Sequence, residues 1–245
     1  MPLKTNVMGV QFDNCTMDEI LSRAEQMLLR REKGYCVTPN AEIVYEAIHD
    51  QAYRDLLNGA AIVLPDGAGV VLGARILGRP LKAKVPGIEF GDHLCRVLAS
   101  HGMRLFLLGG KPGVAEAAGE KLKEKHPGLT VCGTADGYFQ DPSPVIAAVN
   151  AAKPDVMFVC LGAPKQEIFM AAQRDALDVT LMAGLGGSLD GYAGLARRAP
   201  RWMISCNLEW LYRLLKEPKR FVRMLRLPKF VFACVAEKRK EKKNG

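Results

Sequence analysis

Histidine and tryptophan are scarce here, four and two residues in a chain of 245. The seven cysteines stand singly, at Cys15, Cys36, Cys95, Cys132, Cys160, Cys206 and Cys234, with no C-x-x-C pair. Four zinc ligands at finger-like spacing cannot be drawn from these and from His49, His93, His101 and His126. The cysteines therefore read as reduced, mostly buried thiols. No run approaches the roughly 18 consecutive apolar residues that span a bilayer. Nor do the first nine residues show the basic start and apolar stretch of a signal peptide, so a cytoplasmic location is expected. None of the twelve aspartates belongs to an Asp-x-Asp pair, the usual means of bridging a divalent cation to a nucleotide-sugar diphosphate. A complete G-x-G-x-x-G and a P-loop are also missing.

What is present is apolar residues, 49% of the chain, enough for one large core or a core with an appendage. The net charge of +8 is concentrated at one end. Residues 197–245 hold 15 Lys and Arg against 4 Glu, a balance of +11, and the rest of the chain carries −3. Such a segment suits anionic lipid, diphosphates or nucleic acid.

Apolar, β-branched runs at 35–38, 61–64, 104–108, 129–134, 156–161 and 179–183 are each followed by a turn and a helical pattern. This predicts an α/β, Rossmann-like fold: a largely parallel sheet with helices on both faces. Thr16-x-x-Glu19 is a capping box, and behind it Ile20, Leu21, Ala24, Met27 and Leu28 fall on one helical stripe. Beyond about residue 199 the pattern becomes helical and basic, with aromatic and aliphatic residues among the arginines. The expected division is a catalytic core over 1–199 and a helical, membrane-associating appendage over 200–245. The run 238–243 reads as a frayed, solvated end.

Ligands of open parallel sheets bind at the carboxyl ends of the strands. Those ends read Thr38-Pro39-Asn40, Pro65-Asp66-Gly67, Gly109-Gly110-Lys111-Pro112-Gly113, Asp136-Gly137-Tyr138, Gly162-Ala163-Pro164-Lys165-Gln166-Glu167 and Gly184-Leu185-Gly186-Gly187-Ser188. Glycine turns ahead of helices offer backbone N–H groups to phosphate, which nominates Gly109, Gly110 and Gly186, although each also serves as a plain tight turn. Asp66 is either the N-cap of a helix starting near Ala68 or a general base for an attacking hydroxyl. Asn40 fits helix capping or sugar binding, Glu167 suits a helix start whatever its function, and Tyr138 either stacks on a base or covers the core edge.

Taken together and in order, these motifs resemble the WecG/TagA/CpsF glycosyltransferase family. Besides the strand ends, the likeness rests on Val85-Pro86-Gly87-Ile88, Gly186-Gly187-Ser188-Leu189-Asp190, Arg198-Ala199-Pro200-Arg201-Trp202 and Glu209-Trp210-Leu211-Tyr212-Arg213, and it covers about residues 6–227. The resemblance implies inverting transfer of N-acetylmannosamine, or its uronic acid, from UDP to the GlcNAc of an undecaprenyl-diphosphate lipid. The product would serve teichoic acid or another surface polysaccharide, with the enzyme peripheral on the inner face of the cell membrane. It implies Asp66 as base, with Thr38, Asn40, Gln166, Lys84, Gly109, Gly110, Tyr138, Gly186 and Asp190 around the donor. Arg213, Arg220 and Arg223 would close over the diphosphates. The family pattern commonly has Arg where this chain has Lys84, which keeps the charge but loses the bidentate fork. The expected partners are a UDP-sugar, a polyprenyl-diphosphate acceptor and an anionic membrane surface, with no cofactor, metal or nucleic acid; a homo-oligomer is compatible. Two other classes compete: a dinucleotide-dependent oxidoreductase, which calls for the missing G-x-G-x-x-G, and a nucleic-acid binder using the basic tail.

Overall fold

Six apolar runs assemble into one parallel sheet: β3 (Gly34–Val37), β4 (Ile62–Val63), β5 (Arg104–Gly109), β6 (Thr130–Ala135), β7 (Val156–Cys160) and β8 (Leu181–Gly184). They lie in the order β4-β3-β8-β7-β5-β6. The computed structural model describes residues 3–196, 200, 203, 212 and 225–244. Alternate side chains serve opposite faces, as a pleated strand requires. Phe106, Leu108, Met157 and Val159 enter one core, and Leu105, Leu107, Val156 and Phe158 the other. The first is closed by α2 (Ala41–His49), α3 (Gln51–Asn58), α4 (Ala68–Ile76), α7 (Ser143–Ala152) and α8 (Lys165–Ala172). The second is closed by α1 (Met17–Leu29), α5 (Gly87–His101), α6 (Val114–Lys125) and α9 (Ser188–Tyr192). The α/β fold expected from the sequence is the fold observed, with strand limits moved by one or two residues.

The capping box also forms as read. Thr16 Oγ1 accepts the Glu19 N–H at 3.3 Å, Glu19 Oε2 accepts the Thr16 N–H at 2.8 Å, and the five stripe residues of α1 are buried. All six cysteines among the described residues are free thiols, five of them buried. Burial pushes Cys160 up to about 12 and Cys234 up to about 11, which makes both poor nucleophiles.

Two features are additions to the sequence reading. An antiparallel hairpin, β1 (Lys4–Val7) and β2 (Val10–Asp13), lies beside β4. It ends in Asp13, which is fully buried and ion-paired to Lys4 at 2.9 Å and Arg23 at 2.7 Å, and which accepts the Val63 N–H at 2.8 Å. The second is α10 (Arg226–Asn244), packed on α2 and α4. Gly69 and Gly73, one turn apart on α4, make the flat strip it needs. A Cβ on Gly69 would stand 2.7 Å from Leu227 Cδ1, and one on Gly73 2.6 Å from Phe230 Cζ. Phe230 and Cys234 are fully buried in the first core, and Arg226 pairs with Glu46 at 2.7 Å. The expected frayed run 238–243 is instead helical, with the Lys238 ammonium donating to the Leu77 carbonyl at 2.9 Å. Its packing on α4, invisible to local composition, is the reason.

Candidate active site

The chain leaves β5 toward β6 at one edge and leaves β7 the other way, toward β8. Helices α6 and α8 therefore fall on opposite faces, and a crevice opens where the connections diverge, beyond the carboxyl ends of β5 and β7. The turn after β5 needs glycine. Gly109 has φ 132°, and a Cβ there would lie 2.3 Å from the Cys160 carbonyl oxygen. Gly113, at φ 86°, then heads α6 without any side-chain cap; the Val114 N–H donates to the Lys111 carbonyl at 3.0 Å, and those of Ala115 and Glu116 are left to solvent or an anion. The loop after β6 leans on this turn, with the Gly137 N–H donating to Gly110 at 2.9 Å. The Lys165 ammonium donates to the Gly137 carbonyl at 3.0 Å and sits 4.7 Å from the centre of the Phe139 ring. Tyr138 is 69% exposed at this rim, which removes the reading in which it covers the core edge.

A second group gathers at the ends of β3, β4 and β8. Thr38, nearly buried, donates its hydroxyl to the Gly184 carbonyl at 2.9 Å and so ties two strand ends together. Asn40 caps α2, its Oδ1 accepting the N–H groups of Glu42 at 2.9 Å and Ile43 at 3.1 Å; its amide donors take no partner among the described residues. Asp66 does not cap α4. That place belongs to Gly67, at φ 89° with no side-chain bond. Because the N-cap position is one residue further on, the Asp66 carboxylate is released toward α5, where it accepts the Gly87 N–H at 3.3 Å. The Val85 N–H donates to the Pro65 carbonyl at 3.0 Å, which lays residues 85–87 along the end of β4. A Cβ on Gly87 would stand 2.9 Å from Thr38 Cγ2, so Thr38 and Asp66 flank the same backbone. Half-buried Lys84 precedes this segment and makes no hydrogen bond or ion pair among the described residues.

Gln166 is 2% exposed and lies across the gap from Gly186, whose N–H donates to Gln166 Oε1 at 2.9 Å. Asp190 follows in the first turn of α9, half-buried, its main-chain carbonyl accepting from Leu195 and Ala196. Read from sequence as a helix-start residue only, Glu167 proves to be buried and joined to Tyr53, which no strand-end motif had singled out. Glu167 is 1% exposed; it takes the Gln166 amide at 2.8 Å on one oxygen and the Tyr53 hydroxyl at 3.3 Å on the other. Desolvation pushes its carboxyl above the usual range, against the hydrogen bond from Gln166, one from its own backbone and the one from Tyr53, which pull it down. The structure thus brings Thr38, Asn40, Asp66, Gln166 and Gly186 to one end of the sheet, beside the Gly109-Gly110 turn. Arg213, Arg220 and Arg223 lie outside the described residues. A cleft of about 640 Å³ lined by Asn14, Arg23, Lys33, Ala61 and Lys82 lies at the amino ends of β3 and β4, away from these groups.

A doubly wound sheet with glycine turns at its switch point, an oriented carboxylate and a cluster of amides and hydroxyls defines a site for a phosphorylated, polyhydroxylated ligand. The glycosyl transferase WecG/TagA/CpsF family model matches residues 5–244, and the chain belongs to this family of transferases. It is 34% identical over 235 residues to the N-acetylglucosaminyldiphosphoundecaprenol N-acetyl-beta-D-mannosaminyltransferase of Bacillus subtilis strain 168, covering 96% of this chain and 92% of that one. The enzymes of the same name from Bacillus spizizenii and Staphylococcus aureus strain MW2 are 36% and 35% identical, over 94% and 98% of this chain and 90% and 95% of theirs. The oxidoreductase reading falls with this membership.

Proposed function

We propose that the enzyme transfers N-acetylmannosamine from UDP to the GlcNAc of undecaprenyl-diphosphate-GlcNAc, with inversion, in the synthesis of a surface polymer such as teichoic acid. Similarity along nearly the whole chain to transferases named for that reaction carries the reading. A UDP-sugar of this kind bears its leaving group in the α configuration, and the relatives' names specify a β product, so the acceptor attacks the face opposite UDP. Asp66 takes the proton of the attacking GlcNAc hydroxyl as the new C1–O bond forms. The bond from C1 to the diphosphate oxygen breaks, and its electron pair leaves with UDP. The Gly109-Gly110 turn and the uncapped head of α6 supply N–H groups to the diphosphate. Thr38, Asn40, Gln166, Gly186 and Asp190 face the sugar, Tyr138 the base, and Lys84 a phosphate. With no Asp-x-Asp in the sequence, the leaving charge is met by amides and cations without a divalent metal.

The basic end, taken as an appendage over residues 200–245, supplies membrane contact, and Arg213, Arg220 and Arg223 reach the diphosphates. Supporting this, α10 exposes Lys229, Phe232, Ala236, Lys240 and Lys243 at three- and four-residue intervals, the Phe232 ring 73% exposed. No helix among the described residues is long and apolar enough to cross a membrane, so contact with lipid would be peripheral, at the cytoplasmic face. The deciding experiment incubates the enzyme with a short-chain polyprenyl-diphosphate-GlcNAc and a panel of UDP-sugars and weighs the product by mass spectrometry. A mass increase of one N-acetylhexosamine, with UDP-N-acetylmannosamine as the preferred donor, is expected. No product with any UDP-sugar would overturn the reading.

A further inference from the structure

Beneath the strand-end loops lies a carboxylate with no part in the transfer as described. Glu167 is 1% exposed, too deep to touch a substrate, yet it is bound to a group that does face the site. Its Oε1 accepts from Gln166 Nε2 at 2.8 Å, its Oε2 accepts from the Tyr53 hydroxyl at 3.3 Å, and Gln166 Oε1 in turn accepts the Gly186 N–H at 2.9 Å. An amide has two faces to choose between. Turned over, Gln166 would set its oxygen against Glu167 Oε1 and its N–H groups against that of Gly186, and two hydrogen bonds would become two repulsions. An ionised carboxylate only accepts, so it admits a single orientation; an apolar residue here would leave the amide undirected, and a neutral amide would allow both residues to turn together. The orientation has consequences on both sides of Gln166. Gly186, at φ 59°, belongs to the loop whose Gly184 carbonyl receives the Thr38 hydroxyl at 2.9 Å. The second N–H of Gln166 Nε2 has no partner among the described residues.

We propose that Glu167 is a positioning residue, which fixes the Gln166 amide so that its carbonyl holds the Gly186 loop and its remaining N–H is offered to the donor sugar. Holding a carboxylate in a dry site is unfavourable for folding, which argues for a role that a cheaper residue could not fill. The sugar-facing half of the proposal rests on the glycosyl-transfer reading; the Gly186 half stands on the hydrogen bonds alone.

The test uses the full chain in two measurements. Steady-state transfer from UDP-N-acetylmannosamine is compared for wild type, Glu167→Ala, Glu167→Gln, Gln166→Ala and the Gln166→Ala/Glu167→Ala double variant, and amide hydrogen exchange at Gly186 is followed by NMR. Loss of one charge-assisted hydrogen bond should lower kcat/KM for the donor by roughly 10- to 100-fold in Glu167→Ala. Glu167→Gln, which still accepts but allows the pair to turn, should fall between it and wild type. The double variant should be no worse than Gln166→Ala, because Glu167 acts through Gln166. Gly186 exchange should quicken in Glu167→Ala. If that variant does not fold, Glu167→Gln carries both measurements, with smaller shifts in the same direction. Multiplying losses in the double variant, or wild-type kcat/KM in the folded single variants, would overturn the proposal, as would unchanged Gly186 exchange. A wild-type enzyme that transfers no sugar, alongside quickened Gly186 exchange in the variants, would overturn the proposed function and the sugar-facing half while supporting the hold on Gly186.

Discussion

The Asp66 carboxylate accepts the backbone N–H of Gly87 at 3.3 Å, so the end of the sheet's short edge strand and the head of α5 are joined across 21 residues of sequence. This contact orients the proposed base. Asn in place of Asp66 keeps an oxygen for the Gly87 N–H and removes the proton acceptor. Turnover should therefore fall by roughly 10²–10⁴-fold with UDP affinity nearly unchanged. Near-normal turnover by Asp66→Asn would remove Asp66 from the base role.

Metal independence is the second expectation, and it follows from the missing Asp-x-Asp pair. Transfer measured in excess EDTA should equal transfer measured without it. Loss of activity that Mg²⁺ or Mn²⁺ restores would mean that a cation shares in holding the diphosphate.

The third concerns α10. Phe230 is fully buried against the strip made by Gly69 and Gly73, so truncating the ring removes a large apolar contact and opens a cavity. Phe230→Ala should cost about 3–5 kcal/mol of stability, read from urea unfolding. A shift below about 1 kcal/mol would mean that the helix does not dock in solution as it does here.

Glu167 sets a fourth expectation, in pH. Its carboxyl titrates above its ordinary 4.5, chiefly through desolvation; Gln166, its own backbone and Tyr53 hold it down, and Glu46 adds to the rise. The folded state thus binds this proton more tightly than the unfolded state does. The stability the group contributes is complete below about 4.5 and is lost as pH rises through the folded value. Glu167→Gln cannot ionise, so its melting temperature relative to wild type should climb as pH goes from 4 to 8, even as its activity drops. A gap that stays constant over that range would show the carboxyl to be unperturbed.

The parallel sheet was legible because each strand lies in a short apolar run, several of them β-branched, closed by a glycine or proline turn, and such a run is too short for a buried helix. The capping box at Thr16 and Glu19 was legible for the same local reason. The site was legible by position only: Thr38, Asp66, Gln166 and Gly186 were recognisable as strand-end residues, while their partners were not. Asp66 reaches a glycine 21 positions away, and Glu167 meets Tyr53 at a separation of 114. A glutamate in the first turn of a helix already has an explanation in the helix dipole, which concealed that this one is buried. The docking of α10 had a signal, the four-residue spacing of Gly69 and Gly73 on an otherwise apolar helix, but its partner lies more than 150 residues on and nothing local names it. The hairpin strands, four residues each, are too short to show a period.

Asp13 has an effect on how the molecule behaves in a crowded solution. A sheet ending in a bare strand presents unpaired N–H groups to any neighbouring chain; β4 ends this sheet, and the β1-β2 hairpin lies beside it. Its Val63 N–H is answered at 2.8 Å by the Asp13 carboxylate, with Lys4 and Arg23 paired to the same side chain. An incoming strand would have to displace a buried charge from two cations before it could add to this edge. The strand that leads into Asp66 is thereby protected from growing into an aggregate, and Asp13→Ala would expose it at the end of the sheet nearest the proposed chemistry.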